Sequence, residues 1–167
     1  GPIADGDTAD QDLINASAQP VTILPGSACF DIAESFDMIR GGHMDAIVVG
    51  ALQVSEKGDL AGWNNPARGL TIGTIGGSMD LCANAKKLMV AMEHTTTNGE
   101  PKVLSQCTYP LTAKGRVNMI FTDLAVMEVT SKGLVLKEIA PGITVEELQS
   151  VTDAPLIVAS DLKEIEF

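Results

Sequence analysis

Basic residues, cysteines and histidines are all scarce in this sequence. Lys and Arg total 11 against 22 Asp and Glu, so the formal net charge at pH 7 is −11. This balance repels a phosphate backbone at long range, which makes nucleic-acid binding a poor expectation. The possible soft metal ligands form no CxxC pair and are widely scattered, so no zinc site is expected: Cys29, Cys82, Cys107, His43 and His94.

Long apolar runs are also missing. The longest, such as residues 46–52, are far too short to span a bilayer, and no segment resembles a signal peptide. Three scattered cysteines fit a reducing compartment better than a disulfide-bonded secreted scaffold. We therefore expect a cytoplasmic protein, or a mitochondrial matrix protein in a eukaryote. An initiator Met is absent too, and we expect a piece of a longer polypeptide.

What the chain does have is the length and apolar content of one folded domain. Of its 167 residues, 45% are hydrophobic and 20% are charged, a composition typical of globular proteins. We expect residues 1–167 to form a single domain. Short hydrophobic segments bounded by Gly and Pro recur along it, and they indicate a sheet.

The first predicted unit is a strand, a helix and a second strand. Residues 21–24 are β-branched and apolar, which predicts a buried strand that stops at Pro25-Gly26. Asp31 is placed to cap a helix that Gly41-Gly42 end. Residues 46–52 read as a strand that is apolar on both faces, as in a sheet covered by helices. This order favours parallel pairing with a right-handed crossover.

Further elements complete an α/β pattern. Residues 60–66 lack a regular period and predict a loop, Ser78 is a natural N-cap for a helix over 78–86, and residues 97–100 predict a turn. Thr144 and Glu147 have the spacing of a capping box. Strands are predicted over 88–92 and 117–122. Two further strands, 125–129 and 134–139, are predicted to form an antiparallel hairpin. The expected fold is an α/β layered open sheet, mostly parallel, with an added antiparallel hairpin.

Gly76-Gly77-Ser78 is the strongest local candidate for a functional site. Two glycines remove Cβ atoms that would keep a ligand away, and amides at the start of a helix can stabilise a developing oxyanion. A purely structural loop–helix junction explains the same residues equally well. Because Gly73, Gly76 and Gly77 do not match G-x-G-x-x-G and no GxxxxGK[ST] occurs, nucleotide binding by either familiar loop is not supported.

Other candidate residues favour structural roles. His43 follows Gly41-Gly42 and is better explained as a helix C-terminal residue than as a proton-transfer group. His94 comes at the end of a predicted strand, where ligand-binding loops lie in parallel sheets, yet a structural role is again favoured. Trp63 either lines a pocket or anchors a subunit contact. Potential nucleophiles have no adjacent base in sequence: Ser27, Ser78, Cys29 and Cys107.

Several segments together resemble the β subunit of family I CoA-transferases. The resemblance covers nearly the whole chain in family order, and its most specific segments are Ile-Arg-Gly-Gly-His and Gly-Gly-Ser-Met-Asp-Leu. The matching stretches are residues 13–16, 21–26, 34–45, 50–55, 58–61, 76–81, 92–94 and 107–112. It implies the CoA-transferase (NagB/RpiA-like) fold, here without its N-terminal part, and the activity of 3-oxoacid, acetate:acetoacetate or 3-oxoadipate CoA-transferases.

The resemblance implies a ping-pong reaction with coenzyme A as substrate and no permanently bound cofactor. A glutamate attacks the acyl-CoA, an acyl anhydride forms, and a glutamyl-CoA thioester then passes CoA to a second carboxylate. The backbone at Gly77 and Ser78 is expected to stabilise the reacting carbonyl. The nucleophile of the family lies in a Glu-Asn-Gly motif upstream of the point matching Gly1, so this chain alone is expected to be inactive. An α subunit is the implied partner, in an oligomer.

The loop after Trp63 departs from the family pattern. It reads Gly-Trp-Asn-Asn-Pro-Ala-Arg-Gly and is longer before Gly76, so acyl specificity is left open, and Gly76, Trp63 and Asn64 are expected to contact substrate. A non-catalytic binding or regulatory module of the same fold is the alternative. A third hypothesis, that the chain is a sugar-phosphate isomerase, is based only on analogy of fold. The cations available for CoA phosphates are Arg40, Arg68, Lys86, Lys87 and Arg116.

Overall fold

The computed structural model describes residues 1–66 and 75–166. Arg68, Gly69 and Gly73, which precede the Gly-Gly segment, lie outside the described residues. The chain divides into two compact units, Gly1–Glu34 and Ser35–Phe167. No helix in the described part is long and apolar enough to cross a membrane.

The first unit is held by isolated bridges rather than by a sheet. It contains a short 3₁₀ helix, Gly6–Thr8, and single antiparallel bridges between Ile3 and Val21 and between Ile14 and Pro20. The buried strand predicted over 21–24 is wrong, because Ile23 and Leu24 are 50% and 54% exposed and only Val21 is bridged. The first strand of the predicted parallel crossover is therefore missing.

Helix α1, Ile32–Arg40, forms as the sequence predicts. The Asp31 carboxylate accepts a 2.8 Å hydrogen bond from the Glu34 amide, which satisfies one free N–H of the first turn. At the other end Gly42 has φ +71, and the His43 amide donates to the Met38 carbonyl at 3.0 Å. Gly42 thus supplies the left-handed residue that ends the helix.

Nine strands form two sheets in the described part of the chain. In chain order they are β1 Ile47–Val49, β2 Gln53–Ser55, β3 Leu60–Ala61, β4 Leu88–Ala91, β5 Val103–Leu104, β6 Val117–Phe121, β7 Ala125–Thr130, β8 Gly133–Ile139 and β9 Leu156–Glu164. The larger sheet has the order β1-β4-β6-β7-β8-β9, and the smaller has the order β3-β2-β5.

The larger sheet is mostly parallel with an antiparallel insertion. Strands β1, β4 and β6 pair in parallel, β7 is antiparallel to both neighbours, and β9 is parallel to β8. The predicted hairpin over 125–139 is confirmed. The core lies on this sheet and includes the fully buried Leu88, Ile120, Met127 and Leu136. At the β1 edge Val48 is 61% exposed, so the prediction of a strand buried on both faces is wrong there.

Two short helices follow local signals. Helix α2, Ser78–Asn84, has Gly77 at its N-cap, so the prediction of Ser78 as cap is wrong by one residue. Helix α3, Val145–Ser150, has the predicted capping box: the Thr144 hydroxyl accepts from the Glu147 amide and the Glu147 carboxylate accepts from the Thr144 amide. Sequence patterns missed the two-residue strands β3 and β5, and also β2 and β9.

Helix α2 is oriented by contacts at its C-terminal end. The Arg116 guanidinium, directly before β6, donates to the Cys82 carbonyl at 3.1 Å and the Ala85 carbonyl at 2.9 Å. Lys86 pairs at 2.8 Å with Asp45, which precedes β1. Both contacts place the end of α2 at the amino edge of the parallel strands. Its first turn therefore points away from that amino edge.

Candidate functional site

Residues 75–78, which we name the Gly-Gly turn, lead into helix α2. Gly76 has φ +53, a conformation that favours glycine, and a Cβ there would meet nothing within 4 Å. Gly77 differs, because a Cβ there would lie 2.7 Å from Cε1 of Phe36 and closer still to Cζ. The ring of Phe36 thus fills the space that a side chain at Gly77 would need.

The amides of the Gly-Gly turn are not equivalent. The Ser78 N–H donates to the Ile75 carbonyl at 3.2 Å, and the Gly77 carbonyl accepts from the Leu81 amide at 3.1 Å. The Gly77 N–H has no acceptor among the described residues. The Gly76 N–H likewise has no acceptor in the described part. The two glycine amides are therefore the donors of the turn that remain for a ligand, whereas Ser78 must share its proton with Ile75 or release it.

Asp80, in the first turn of α2, is held by helix α1. The Arg40 Nε donates to Asp80 Oδ1 at 2.9 Å, and the same guanidinium carbon lies 5.7 Å from the centroid of the Phe36 ring. The hydrogen bond from Arg40 lowers the pKa of Asp80 below its ordinary value. The guanidinium therefore connects the ring against Gly77 with the carboxylate three residues further along.

A cleft of about 340 Å³ opens beside the carboxyl ends of β1 and β4, and we name it the polar cleft. Leu52 follows β1 and Glu93 follows β4, while the turn over 95–101 forms one wall. The Thr96 hydroxyl fixes that turn by accepting from the Asn98 and Glu100 amides at 3.3 and 3.1 Å. The residues that line the polar cleft are Leu52, Gln53, Asn65, Glu93, Thr95–Asn98, Glu100–Lys102 and Tyr109.

Lys102 is the cation among the described lining residues of the polar cleft. It forms no salt bridge with another described residue. Burial lowers the pKa of Lys102, and the negative charges of Glu93 and Asp123 oppose that shift. An ammonium that is partly desolvated and unpaired is a donor available to an anionic or carbonyl group.

Gln53 fixes the opposite wall of the polar cleft. Its Oε1 accepts from the amides of Thr108 and Tyr109 at 2.9 and 3.0 Å, and its Nε2 donates to the Thr108 hydroxyl at 2.9 Å. These bonds use Gln53 Oε1 and one N–H of its amide, and they hold Tyr109 at the cleft. Sequence patterns missed Gln53, Lys102 and Tyr109, since no local motif marks them.

Trp63 and Asn64 lie at the end of the smaller sheet. The Trp63 indole N–H donates to the Leu111 carbonyl at 3.3 Å, and its ring is half-buried. Asn64 is 8% exposed, and its Oδ1 has no hydrogen-bond donor in the described part of the chain. A buried acceptor without a donor is uncommon in proteins and is a place where a bound group finds a partner.

His94 and His43 have structural surroundings. Both ring nitrogens of the fully buried His94 contact hydroxyls, Nδ1 with Thr122 at 2.9 Å and Nε2 with Thr152 at 2.8 Å. Burial lowers the pKa of His94. His43 is exposed just after α1 and donates through its backbone to the helix. The described residues contain no cluster of His, Cys, Asp and Glu that would hold a metal ion.

Comparison with known proteins decides the family. The model of the coenzyme A transferase family matches residues 1–150. The chain belongs to the coenzyme A transferase family. It is 52% identical over 148 residues to the B-type subunit of 3-oxoadipate CoA-transferase from Pseudomonas putida, covering 89% of this chain and 69% of that protein. It is 44% identical over 162 residues to the beta subunit of acetate CoA-transferase from Haemophilus influenzae, covering 97% of this chain and 72% of that one.

A solved structure has a similar fold. The acyl-CoA transferase of Escherichia coli O157:H7 (YdiF), in a thioester complex with CoA, matches with a TM-score of 0.72 at 21% identity. The match covers 83% of this chain and 31% of that chain, so this chain spans about a third of its length. The α/β layered sheet expected from the sequence is confirmed, and the chain is of the beta-subunit type of the family.

Proposed function

We propose that this chain forms the part of a CoA-transferase beta subunit that stabilises the reacting carbonyl while a glutamate from outside these residues acts as the nucleophile. The observation that carries the proposal is the Gly77 N–H, which has no acceptor in the described part and lies at the N-cap of helix α2. The Glu-Asn-Gly motif that would supply the glutamate is absent from residues 1–167.

The proposed reaction consists of two successive attacks on carbonyl groups. The glutamate carboxylate attacks the acyl-CoA carbonyl, the CoA thiolate leaves, and an acyl anhydride remains on the enzyme. The thiolate then attacks the glutamyl carbonyl, which releases the carboxylic acid and leaves a glutamyl-CoA thioester. Each attack places negative charge on a carbonyl oxygen. Loss of one fixed N–H donor to such an oxygen typically slows a reaction about 100- to 1000-fold.

Gly77 is the first donor in this proposal and Ser78 the second. The Gly77 N–H needs no rearrangement, whereas the Ser78 N–H already donates to Ile75 at 3.2 Å. A donor that needs no reorganisation contributes more at the moment of reaction. Gly76 has open space around its Cα, which leaves room for the acyl group beside the turn.

The substrates we assign are an acyl-CoA and a free carboxylic acid. We assign the Lys102 ammonium and the hydroxyls of the polar cleft as the donors for the carboxylate. Trp63 and Asn64 do not line that cleft, and we assign them to the acyl group because Asn64 Oδ1 is a buried acceptor without a donor in the described part. Relatives act on different acids, by their names 3-oxoadipate and acetate, so the acyl chain is assigned only as a short carboxylic acid. Coenzyme A enters as a substrate.

The cations named from the sequence are mostly engaged within the protein. Arg40 pairs with Asp80, Lys86 pairs with Asp45, and Arg116 donates to the carbonyls at the end of α2. Lys87 stands at the amino edge of the sheet, away from the Gly-Gly turn. We therefore assign the CoA phosphates to other cations, those of the partner alpha subunit among them, in an oligomeric cytoplasmic enzyme.

Chemical trapping tests the proposal. The full-length beta subunit, co-expressed with its alpha subunit, is incubated with acyl-CoA and then treated with borohydride, which reduces a glutamyl thioester to an alcohol. Mass spectrometry is expected to find one reduced glutamate in a Glu-Asn-Gly sequence upstream of Gly1. A protein that binds acyl-CoA with no reduced glutamate would instead be a binding module that keeps the fold.

A further inference from the structure

The ring of Phe36 occupies the position that a side chain at Gly77 would take. A Cβ on Gly77 would lie 2.7 Å from Cε1 and 3.4 Å from Cε2 of that ring, and nearest of all to Cζ. Gly77 has φ −84 and ψ 6, which residues other than glycine also adopt. The absence of a side chain at Gly77 is therefore required by contact with Phe36 and not by backbone conformation.

Arg40 lies one turn further along α1 and joins the same contact. Its guanidinium carbon is 5.7 Å from the centroid of the Phe36 ring, and its Nε donates to Asp80 Oδ1 at 2.9 Å. Asp80 is in the first turn of α2, so the Gly-Gly turn is held at Gly77 by the ring and at Asp80 by the guanidinium. No other described side chain forms a hydrogen bond or an ion pair with Gly77, Ser78 or Asp80.

The Phe36 ring contributes more to holding the Gly-Gly turn than the ion pair between Arg40 and Asp80 does. The side chains of Arg40 and Asp80 are 48% and 39% exposed, and exposed ion pairs contribute little to stability. Phe36 is partly buried and packs against the core cluster, so its position is fixed by the rest of the fold. The guanidinium restricts the ring and the carboxylate, and the ring in turn fixes the backbone at Gly77.

We propose that Phe36, supported by Arg40, is a positioning residue that holds the Gly77 amide in the orientation needed for the reaction. The packing part of the proposal stands on the contacts alone, and its catalytic part rests on the proposed function. Neither residue touches the reacting atoms. Their effect is on the direction of one N–H donor.

The proposal predicts a change in kcat more than in KM. A misdirected donor weakens the bond to the oxyanion of the transition state more than any contact with bound substrate. We expect Phe36→Leu to lower kcat about 10-fold, which is less than the loss of a whole donor, and Phe36→Ala about 100-fold, at the lower end of the range for such a loss. Arg40→Lys keeps the charge but loses the planar stacking, and we expect a reduction of a few-fold.

A double variant separates this proposal from a simpler explanation of Gly77. Gly77→Ala alone forces its methyl group against Phe36 and displaces the turn. In Phe36→Leu/Gly77→Ala the smaller side chain leaves space for that methyl group, so kcat is expected to recover about 10-fold over Gly77→Ala. If Gly77 lacked a side chain only to admit substrate, the double variant would be no better than Gly77→Ala.

The experiment uses the full-length beta subunit with its alpha subunit and two readouts. Steady-state kinetics gives kcat and KM, and hydrogen–deuterium exchange gives the protection of amides in a peptide covering 75–81. Leu162→Ala is the matched control, since Leu162 is partly buried on β9, at the sheet edge opposite β1. We expect faster exchange at 75–81 in both Phe36 variants and in Gly77→Ala, but not in Leu162→Ala.

Each outcome decides a distinct point. Unchanged exchange at 75–81 in the Phe36 variants overturns the anchoring role, whether or not the enzyme is active. Faster exchange with unchanged kcat overturns the catalytic part. If wild-type protein forms no glutamyl-CoA and shows no turnover, the proposed function fails, and the exchange data still decide whether Phe36 holds the turn.

Discussion

At the scale of single residues, the clearest case is Gly77. Its position in a Gly-Gly-Ser segment indicates a functional turn, and local sequence suggests that the missing Cβ makes room for a ligand. The structure assigns that space to the Phe36 ring, which comes from a helix far away in sequence. The residue type was therefore informative, while the physical reason for it depends on a long-range contact.

The three cysteines differ in how far their side chains are exposed to solvent. Cys29 is exposed, Cys82 is buried and Cys107 is partly buried. Burial raises the pKa of the Cys107 thiol to about 11, with a smaller contribution from the charge of Asp59, and burial also raises the pKa of Cys82. The thiolate is the reactive form, so the raised pKa values make Cys82 and Cys107 slow to react, whereas Cys29 has an accessible thiol.

We predict selective alkylation of Cys29. At neutral pH, iodoacetamide is expected to modify Cys29 in the folded protein and to leave Cys82 and Cys107 unmodified for at least about 100 times longer, since both thiols are protonated and shielded. Peptide mapping by mass spectrometry measures the three rates. Denatured protein, in which all three should react alike, is the control. Equal labelling of Cys29 and Cys107 in the folded protein would contradict the burial of Cys107.

At the scale of elements, sequence signals succeeded where they are local. The Asp31 cap, the Gly42 stop and the capping box of α3 involve residues within five positions of one another, and all three are present. Residues 21–24 have a convincing strand pattern, but a strand also needs a partner along its length. Within the first unit Val21 forms a single bridge, with Ile3, and residues 21–24 do not form a strand.

The capping box of α3 leads to a stability prediction. Thr144→Ala removes the hydroxyl that accepts from the Glu147 amide at 3.2 Å, and we expect it to lower the free energy of unfolding by about 1 kcal/mol. Thr144→Ser keeps the hydroxyl and should lose much less. Urea denaturation followed by circular dichroism measures both variants. A loss in Thr144→Ser equal to that in Thr144→Ala would show that the cap is not the cause.

At the scale of the whole molecule, His94 connects three distant segments. It follows β4, its ring contacts Thr122 after β6, and it also contacts Thr152 after α3. Its amide donates to the Asp123 carboxylate at 2.7 Å. These contacts join the larger sheet to the segment before β9, so a change in the charge of His94 is expected to disturb the packing between them.

We predict that stability falls in mild acid because of His94. Burial holds the pKa of His94 below its ordinary value of 6.5, so the unfolded state binds a proton that the folded state resists. Neutral His94 contributes its full stabilisation of the folded state when the pH is above 6.5. That contribution is lost as the pH falls from 6.5 toward the lower pKa of the folded state. Urea midpoints measured between about pH 5 and pH 7.5 test this.

Two variants isolate the contribution of His94. His94→Gln keeps hydrogen-bonding groups but cannot titrate, and its stability should change less over this pH range than that of the wild-type protein. His43→Gln, at an exposed position, should keep the wild-type pH dependence. The same pH dependence in wild type and His94→Gln would exclude His94 as the source.

The sequence by itself determined the family, helices α1 and α3 with their caps, and the hairpin over 125–139. These features depend on neighbouring residues or on long matched segments. Only the tertiary structure decided that residues 21–24 form no strand, that Phe36 covers Gly77, and that Gln53, Lys102 and Tyr109 meet at one cleft. Each of these depends on packing between residues far apart in the chain, which no local pattern records.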